Sequence, residues 1–140
     1  MIIPCPGFSA KNRIPAARID ARAHCGECKA RLSPPDRPLS ISSTADFEEL
    51  IRDSPLPVAV DFWAAWCAPC RVVAPQIEAL ATARAGTVVV AKVDTETLPD
   101  VAGRQAIRSI PTIVLFRNGV EAKRVSGAMS AAQLAEGLAL

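Results

Sequence analysis

The chain has 140 residues, of which 50% are hydrophobic and 21% charged, and its formal net charge is +2. This composition is typical of a globular protein with its own core, and so small a net charge argues against a main role in binding nucleic acid or a membrane surface. No apolar run reaches membrane-spanning length, and the N-terminus lacks the basic and apolar regions of an export signal, so we expect a cytoplasmic protein.

The first forty residues differ from the rest of the chain. They hold seven basic and three acidic residues, a charge of +4, which leaves −2 for the remainder. Their hydrophobic periodicity is poor, and the proline-rich run from Ser33 to Pro38 is typical of a stiff linker. We therefore predict a small irregular segment at residues 1–38, followed by a catalytic domain at residues 39–140.

Three of the five cysteines, Cys5, Cys25 and Cys28, lie in this N-terminal segment. The C-x-x-C spacing of the last two is typical of a zinc knuckle, but structural zinc takes four ligands, and Phe8 stands where a second C-x-x-C would place its other cysteine. His24 adjoins Cys25, and neighbouring residues seldom bind one ion. Two interpretations stay open: a zinc site based on three thiolates, or a degenerate segment that folds weakly or packs against the catalytic domain.

Beyond the linker, helix and strand patterns alternate. The sequence predicts helices near residues 44–52, from 67 to at least 80, and near 98–106 and 130–138, and strands near 58–63, 87–93, 112–116 and 120–126. The first helix has a capping pattern at Ser43, and the last has one at Ser130 with Gln133. Asn118-Gly119 between the last two strands is the strongest short hairpin signal, and the first two of these strands should be parallel. The fold class is therefore α/β, with a mixed central sheet and helices on both faces.

Two cysteines stand where a buried strand meets a helix. In Cys67-Ala68-Pro69-Cys70, free N–H groups and the helix dipole should favour a thiolate at Cys67, and the spacing brings Cys70 within reach of it. Such a pair can exchange with a disulfide, with Cys67 as nucleophile and Cys70 as the resolving thiol. The spacing also occurs in zinc sites, so a metal-handling protein that uses its C-x-x-C pairs stays an alternative, as does a non-catalytic scaffold.

The stretch Trp63–Arg71 resembles the active site of the thioredoxin family, and the resemblance runs from about Phe47 to the C-terminus. Its further motifs are Lys92–Asp94, Ile107–Thr112, Phe116–Gly119 and Gly127-Ala128. The cysteine layout of the N-terminal segment is similar to the zinc ribbon of the thioredoxin-2 branch. Ala68 departs from the glycine that the family usually carries, which leaves the redox potential open.

The resemblance implies a proton-transfer role for Asp61, which lies within the apolar strand before the cysteines. It is similar to the family's buried aspartate, which exchanges a proton with the resolving thiol, here Cys70. Burial should raise the pKa of this carboxyl toward working pH. The alternative is an aspartate that reaches solvent or a backbone amide. Lys92 resembles the lysine beside that aspartate, or it is an ordinary surface lysine.

The resemblance also implies a substrate-binding surface. Pro111 is similar to the cis-proline that faces the active-site disulfide, and the backbone of Ile110 would pair with an extended substrate. Trp66, Ala68 and Pro69 would complete the surface, while Trp63 is expected to pack in the core.

The implied function is general protein-disulfide reduction through a redox-active Cys67–Cys70 disulfide. No cofactor is expected for this chemistry, and zinc is expected only at the N-terminal cysteines, if at all. The implied partners are disulfide-containing client proteins and an NADPH-dependent thioredoxin reductase, and the expected state is a monomer.

Overall fold

The computed structural model describes residues 2–5, 11–20, 24–29 and 34–140. In the N-terminal segment, strands β1 (Ile2–Pro4) and β2 (Lys11–Arg13) pair antiparallel, and a 3-10 turn covers Ala16–Arg18. The sequence did not predict these elements, because strands of three residues are too short to show a hydrophobic period. Phe8, assigned from the sequence to the position of a missing metal ligand, lies outside the described residues.

A five-stranded sheet forms the centre of the remaining chain. The elements in chain order are β3 (Leu39–Ser40), α1 (Thr44–Asp53), β4 (Val58–Trp63), α2 (Ala68–Ala83), β5 (Val89–Asp94), α3 (Pro99–Arg104), β6 (Thr112–Arg117), β7 (Val120–Ser126) and α4 (Ala131–Gly137). The strand order in the sheet is β3-β5-β4-β6-β7. Strands β4 and β5 are parallel, as predicted, and β3 also pairs parallel with β5, whereas β6 pairs antiparallel with both β4 and β7.

The predicted elements of this part all form, with small shifts in their bounds. Strand β5 begins at Val89 because the N–H of Val88 and the hydroxyl of Thr87 donate instead to the carbonyl of Arg84, the residue that ends α2. Helix α3 is shorter than predicted at both ends. The edge strand β3 was missed because two residues carry no periodic signal.

One face of the sheet packs against α1 and α3. Helix α1 begins at an N-cap, Ser43, whose hydroxyl accepts from the N–H of Asp46 at 3.1 Å. Its buried side includes Phe47, whose ring contacts Phe62 and Phe116 edge-on, with centroids 6.3 and 5.9 Å apart. These rings join the helix to the two central strands β4 and β6.

The opposite face packs against α2 and α4. Val73, Ile77 and Leu80 of α2 share a buried cluster with Leu134 of α4 and with the strand residues beneath them. Helix α2 continues through the internal Pro75. Helix α4 begins with the predicted capping box of Ser130 and Gln133. The mixed sheet with helices on both faces is thus the architecture that the sequence predicted.

The hairpin between β6 and β7 turns at Asn118-Gly119. Both residues have positive φ, 53° and 80°. A two-residue turn of this kind requires positive φ at both central positions, which asparagine and glycine tolerate best.

The N-terminal segment packs against the α1 face of the sheet. Ala16 and Ile19 are buried at 0% and 3% exposure and belong to the same apolar cluster as Phe47. The N–H of Ala16 donates to a carboxylate oxygen of Glu49, in α1, at 2.8 Å. The described part of the segment therefore shares its core with the sheet, while the boundary at residue 38 stays a prediction.

Candidate active site

Cys67 is the N-cap of helix α2, at the carboxyl end of β4. Its Sγ accepts the backbone N–H of Cys70 at 3.2 Å, so one of the free N–H groups of the helix start points at the sulfur. Pro69 lies in the first turn, where it removes an N–H that has no partner within the helix. This geometry stabilises negative charge on Cys67 whenever the pair is reduced.

Cys67 and Cys70 are joined in a disulfide, with their Cα atoms 5.3 Å apart. Each cysteine is only 3% exposed. Their difference lies in what they face. Cys67 lines an open groove, whereas Cys70 lines a separate small cavity.

The groove beside Cys67 has a volume of about 460 Å³. Four of the predicted substrate-binding residues line it, namely Trp66, Ala68, Pro69 and Ile110. The sequence reasoning did not assign the rest of the lining to the site: Thr95, Ala102, Ile107, Arg108 and Ser109. Ile107–Ser109 was noticed only as part of a motif, and no local signal shows that this loop faces the cysteines.

Trp66 is 68% exposed, as predicted, and its indole N–H donates to Glu96 at 3.0 Å. That bond orients a large apolar ring at the rim of the groove. Trp63, expected in the core, is only half-buried, and the ammonium of Lys92 lies 4.8 Å from its ring centroid.

The Ile110–Pro111 peptide bond is cis. The carbonyl oxygen of Ile110 lies 3.7 Å from the Sγ of Cys67, so this backbone stands directly beside the disulfide. Pro111 itself is buried and does not line the groove, and its carbonyl accepts from the N–H of Gly127 at 2.9 Å. The structure therefore places Ile110 at the site surface and Pro111 behind it.

Asp61 is buried in β4 at 1% exposure, and neither carboxylate oxygen has a hydrogen-bond partner among the described residues. Burial raises the pKa of this carboxyl from 3.8 to about 6, and the nearby charge of Lys92 lowers it in part. Lys92 is the direct neighbour of Asp61 on the parallel strand β5. A carboxyl with such a pKa suits proton transfer near neutral pH.

A cavity of about 160 Å³ lies between Cys70 and Lys92. Trp63, Arg71 and Ala74 complete its lining. It connects the second active-site cysteine with the lysine whose charge acts on Asp61. Asp61 itself does not line this cavity; Lys92 is its neighbour on the adjacent strand.

The N-terminal cysteines form a second group. The Sγ atoms of Cys5, Cys25 and Cys28 all lie within 4.8 Å of one another, and the first and last are 3.5 Å apart. His24 does not belong to this group in the described part of the chain. A structural zinc ion needs four ligands, so the described residues supply three of the four that a zinc ribbon uses.

Hydrogen bonds from Asn12 help to position this group of N-terminal cysteines. Asn12 donates to the Sγ of Cys25 at 3.6 Å and accepts the N–H of Gly26 at 3.0 Å. Hydrogen bonds from the backbone at Cys28 and Glu27, against the opposing effect of burial, lower the pKa of the Cys25 thiol from 9.0 to about 6. Thiolate is the form of cysteine that binds metals.

The sequence matches one known family over most of its length. The thioredoxin family model matches residues 38–139. The chain belongs to the thioredoxin family. "Thioredoxin C-3" of Corynebacterium nephridii is 38% identical over 138 residues, which cover 99% of this chain and 93% of that one. A thioredoxin of Synechocystis is 45% identical over 96 residues, which cover 69% of this chain and 90% of that one.

Solved thioredoxin structures agree. A mutant thioredoxin from Halobacterium salinarum superposes with a TM-score of 0.66 at 31% identity, covering 73% of this chain and 88% of that one. A thioredoxin of Malassezia sympodialis gives 0.67 at 33% identity, covering 74% and 91%. The predicted thioredoxin fold is confirmed.

Family membership establishes the class of reaction. The chain is an oxidoreductase that catalyses dithiol–disulfide exchange, and Cys67–Cys70 matches the C-x-x-C active site of thioredoxins. Thioredoxins need no cofactor for this exchange, and their general partners are disulfide-containing proteins and a thioredoxin reductase. Within the described part of the chain, no helix has both the length and the apolar character to cross a bilayer.

Proposed function

We propose that this thioredoxin reduces protein disulfides with Cys67 as nucleophile, Cys70 as resolving thiol and Asp61 as the group that exchanges a proton with Cys70. The observation that carries the assignment is the position of Cys67: its Sγ accepts a helix N-terminal N–H, and the residue also lines the groove. Cys70 instead lines the separate small cavity beside Lys92.

The first step forms a mixed disulfide. The Cys67 thiolate attacks one sulfur of a client disulfide, the client S–S bond breaks, and the other client sulfur leaves as a thiolate that takes up a proton. Helix α2 lowers the cost of the attacking anion, because its N-terminal N–H groups and dipole act on that sulfur.

The second step releases the client. Cys70, as thiolate, attacks Sγ of Cys67, the Cys67–client bond breaks, and the second client sulfur leaves and is protonated. Asp61, with a pKa of about 6, takes the proton of Cys70; its strand neighbour Lys92 lines the same cavity as Cys70. The client gains two thiols, and the protein ends as the disulfide form seen here.

The groove supports binding of an extended client segment. Trp66 and Pro69 provide exposed apolar contacts, and the carbonyl of Ile110 offers a backbone acceptor beside the disulfide. A short extended peptide that pairs with this backbone would bring its own disulfide against Cys67. Few charges line the groove, which suits a reductase with many clients.

We further propose that an NADPH-dependent thioredoxin reductase regenerates the dithiol, and that the chain acts as a monomer in the cytoplasm. The described residues contain one disulfide, Cys67–Cys70, although the sulfurs of Cys5 and Cys28 lie only 3.5 Å apart. Cysteines that stay unbridged at such a distance suit a reducing compartment.

The test is a matched pair of variants in insulin reduction driven by dithiothreitol. Cys67→Ser should abolish turnover, to about 100-fold or more below the parent, because it removes the attacking sulfur. Cys70→Ser should also block turnover but should accumulate a mixed disulfide between Cys67 and the client, visible by mass spectrometry. A mixed disulfide through Cys70 in the Cys67→Ser variant would overturn the assignment of roles.

A further inference from the structure

We propose that Cys5, Cys25 and Cys28 form a three-thiolate site for monovalent copper, a trigonal site distinct from a four-ligand zinc ribbon. The proposal concerns the N-terminal segment alone and does not depend on the redox roles assigned to Cys67 and Cys70.

The geometry of the sulfurs carries the proposal. Three sulfurs bound to one metal at about 2.3 Å stand about 4 Å apart. The Sγ atoms of Cys5 and Cys28 are 3.5 Å apart, and all three lie within 4.8 Å of one another. Cys5 and Cys25 are buried at 2% and 0% exposure, while Cys28 is half-buried and leaves one side open for entry.

The number of ligands selects the metal. In the described part of the chain, no further cysteine, histidine or carboxylate joins the group. The remaining residues, 1, 6–10, 21–23 and 30–33, contain none of these residue types. Structural zinc takes four protein ligands, and the apolar neighbours Ile14 and Leu39 provide no fourth. Monovalent copper is soft, prefers thiolates, and is satisfied by three of them.

The charge of the N-terminal sequence is compatible with a negatively charged metal–thiolate centre. Binding releases the protons of the thiols, and one monovalent ion with three thiolates carries a charge of −2. The first forty residues carry a net charge of +4 in the sequence, opposite in sign to that centre. Asn12 and the N–H of Gly26 form an outer shell that holds Cys25 in place, as metal sites require.

The experiment uses the full chain with Cys67→Ser and Cys70→Ser, so that the active-site dithiol does not compete. The protein is reduced, kept free of oxygen, and titrated with monovalent copper, supplied as its acetonitrile complex, against bathocuproine disulfonate. We expect one equivalent to be retained, with three sulfur neighbours and no nitrogen or oxygen in X-ray absorption. Cys25→Ser should weaken binding by more than about 10-fold, and Asn12→Ala by about 10-fold.

A zinc retention assay on the same protein tests the competing interpretation, a zinc site. Under the same conditions zinc alone should be lost to 4-(2-pyridylazo)resorcinol, because its fourth position has no protein ligand. Retention of one zinc, copper affinity unchanged by Cys25→Ser, or a Cys5–Cys28 disulfide that persists in reductant would each overturn the proposal. The X-ray absorption measurement needs no change in the segment, so it remains decisive if Cys25→Ser does not fold.

Discussion

At the scale of single residues, the buried carboxyl of Asp61 is the clearest conflict between stability and function. A carboxylate without a hydrogen-bond partner is costly inside a protein, and here burial raises the pKa from 3.8 to about 6. The folded state therefore holds this proton more tightly than the unfolded state does. The free energy of unfolding falls as the pH rises from about 4 to about 6, and stays lowered above that.

Asp61→Asn should consequently stabilise the protein at pH 8, by up to about 3 kcal/mol, because it removes the cost of ionising a buried group. The gain should disappear below about pH 3, where the carboxyl is protonated in both states. Urea unfolding of the oxidised protein at about pH 8 and about pH 3 measures both values.

The matched control is Asp36→Asn, since Asp36 is exposed and its replacement should change stability by less than about 0.5 kcal/mol. The same Asp61→Asn variant should reduce insulin more slowly and lose the rate inflection near pH 6. If variant and parent were equally stable at pH 8, ionisation of Asp61 would not lower the free energy of unfolding, and the prediction would be wrong.

At the scale of elements, the packing of α4 against β7 decides whether replacing a helical glycine by alanine stabilises the protein. Helix propensity alone would favour that replacement. A Cβ on Gly137 would lie 2.7 Å from Cγ1 of Val125, whereas a Cβ on Gly103, in α3, would meet nothing within 4 Å. Both residues lie in helices, so alanine should bring the same gain in helix propensity at each. The two positions differ in the room available for a Cβ atom.

Gly103→Ala should therefore stabilise the protein, by up to about 1 kcal/mol, through helix propensity. Gly137→Ala should destabilise it by about 1–2 kcal/mol, because the overpacking cost of about 1–3 kcal/mol exceeds the same gain. Urea midpoints of the two variants give the comparison. A Gly137→Ala variant as stable as Gly103→Ala would mean that Val125 moves aside without cost.

At the scale of the whole molecule, the N-terminal segment and the sheet share one core. Ile19 and Ala16 lie in the cluster built around Phe47, and Leu39 of β3 contacts both this cluster and the one formed by Cys5 and Cys25. Strand β3 in turn pairs with β5, which carries Lys92. The cysteine-bearing segment is thus joined to the sheet that positions the active site.

Ile19→Ala should cost about 2–5 kcal/mol of unfolding free energy, the usual range for deleting a buried isoleucine side chain. Insulin reduction under native conditions should change little, because Ile19 does not touch the groove. Val120→Ala, at an exposed valine of β7, is the control and should fall within about 0.5 kcal/mol of the parent. If Ile19→Ala lost less than about 0.5 kcal/mol of unfolding free energy, the segment would not share this core in solution.

The sequence by itself determined the features that depend on neighbouring residues. The cysteine pair at a helix start, the caps at Ser43 and Ser130, and the turn at Asn118-Gly119 are local signals, and the structure contains each of them. The order of these elements predicted the mixed sheet, and the resemblance to a family added the role of Asp61 and the substrate-binding surface. Local signals suffice here because capping, turn geometry and hydrophobic period act over a few residues.

Only the tertiary structure decided what depends on the path of the chain. It brought the loop of Ile107 and Arg108 to the groove, placed the carbonyl of Ile110 against Cys67, and gathered Cys5 with Cys28, 23 residues further on. It also added β3, whose two residues hold their place through pairing with β5. Such contacts join residues far apart in sequence, and no pattern within a short window records them.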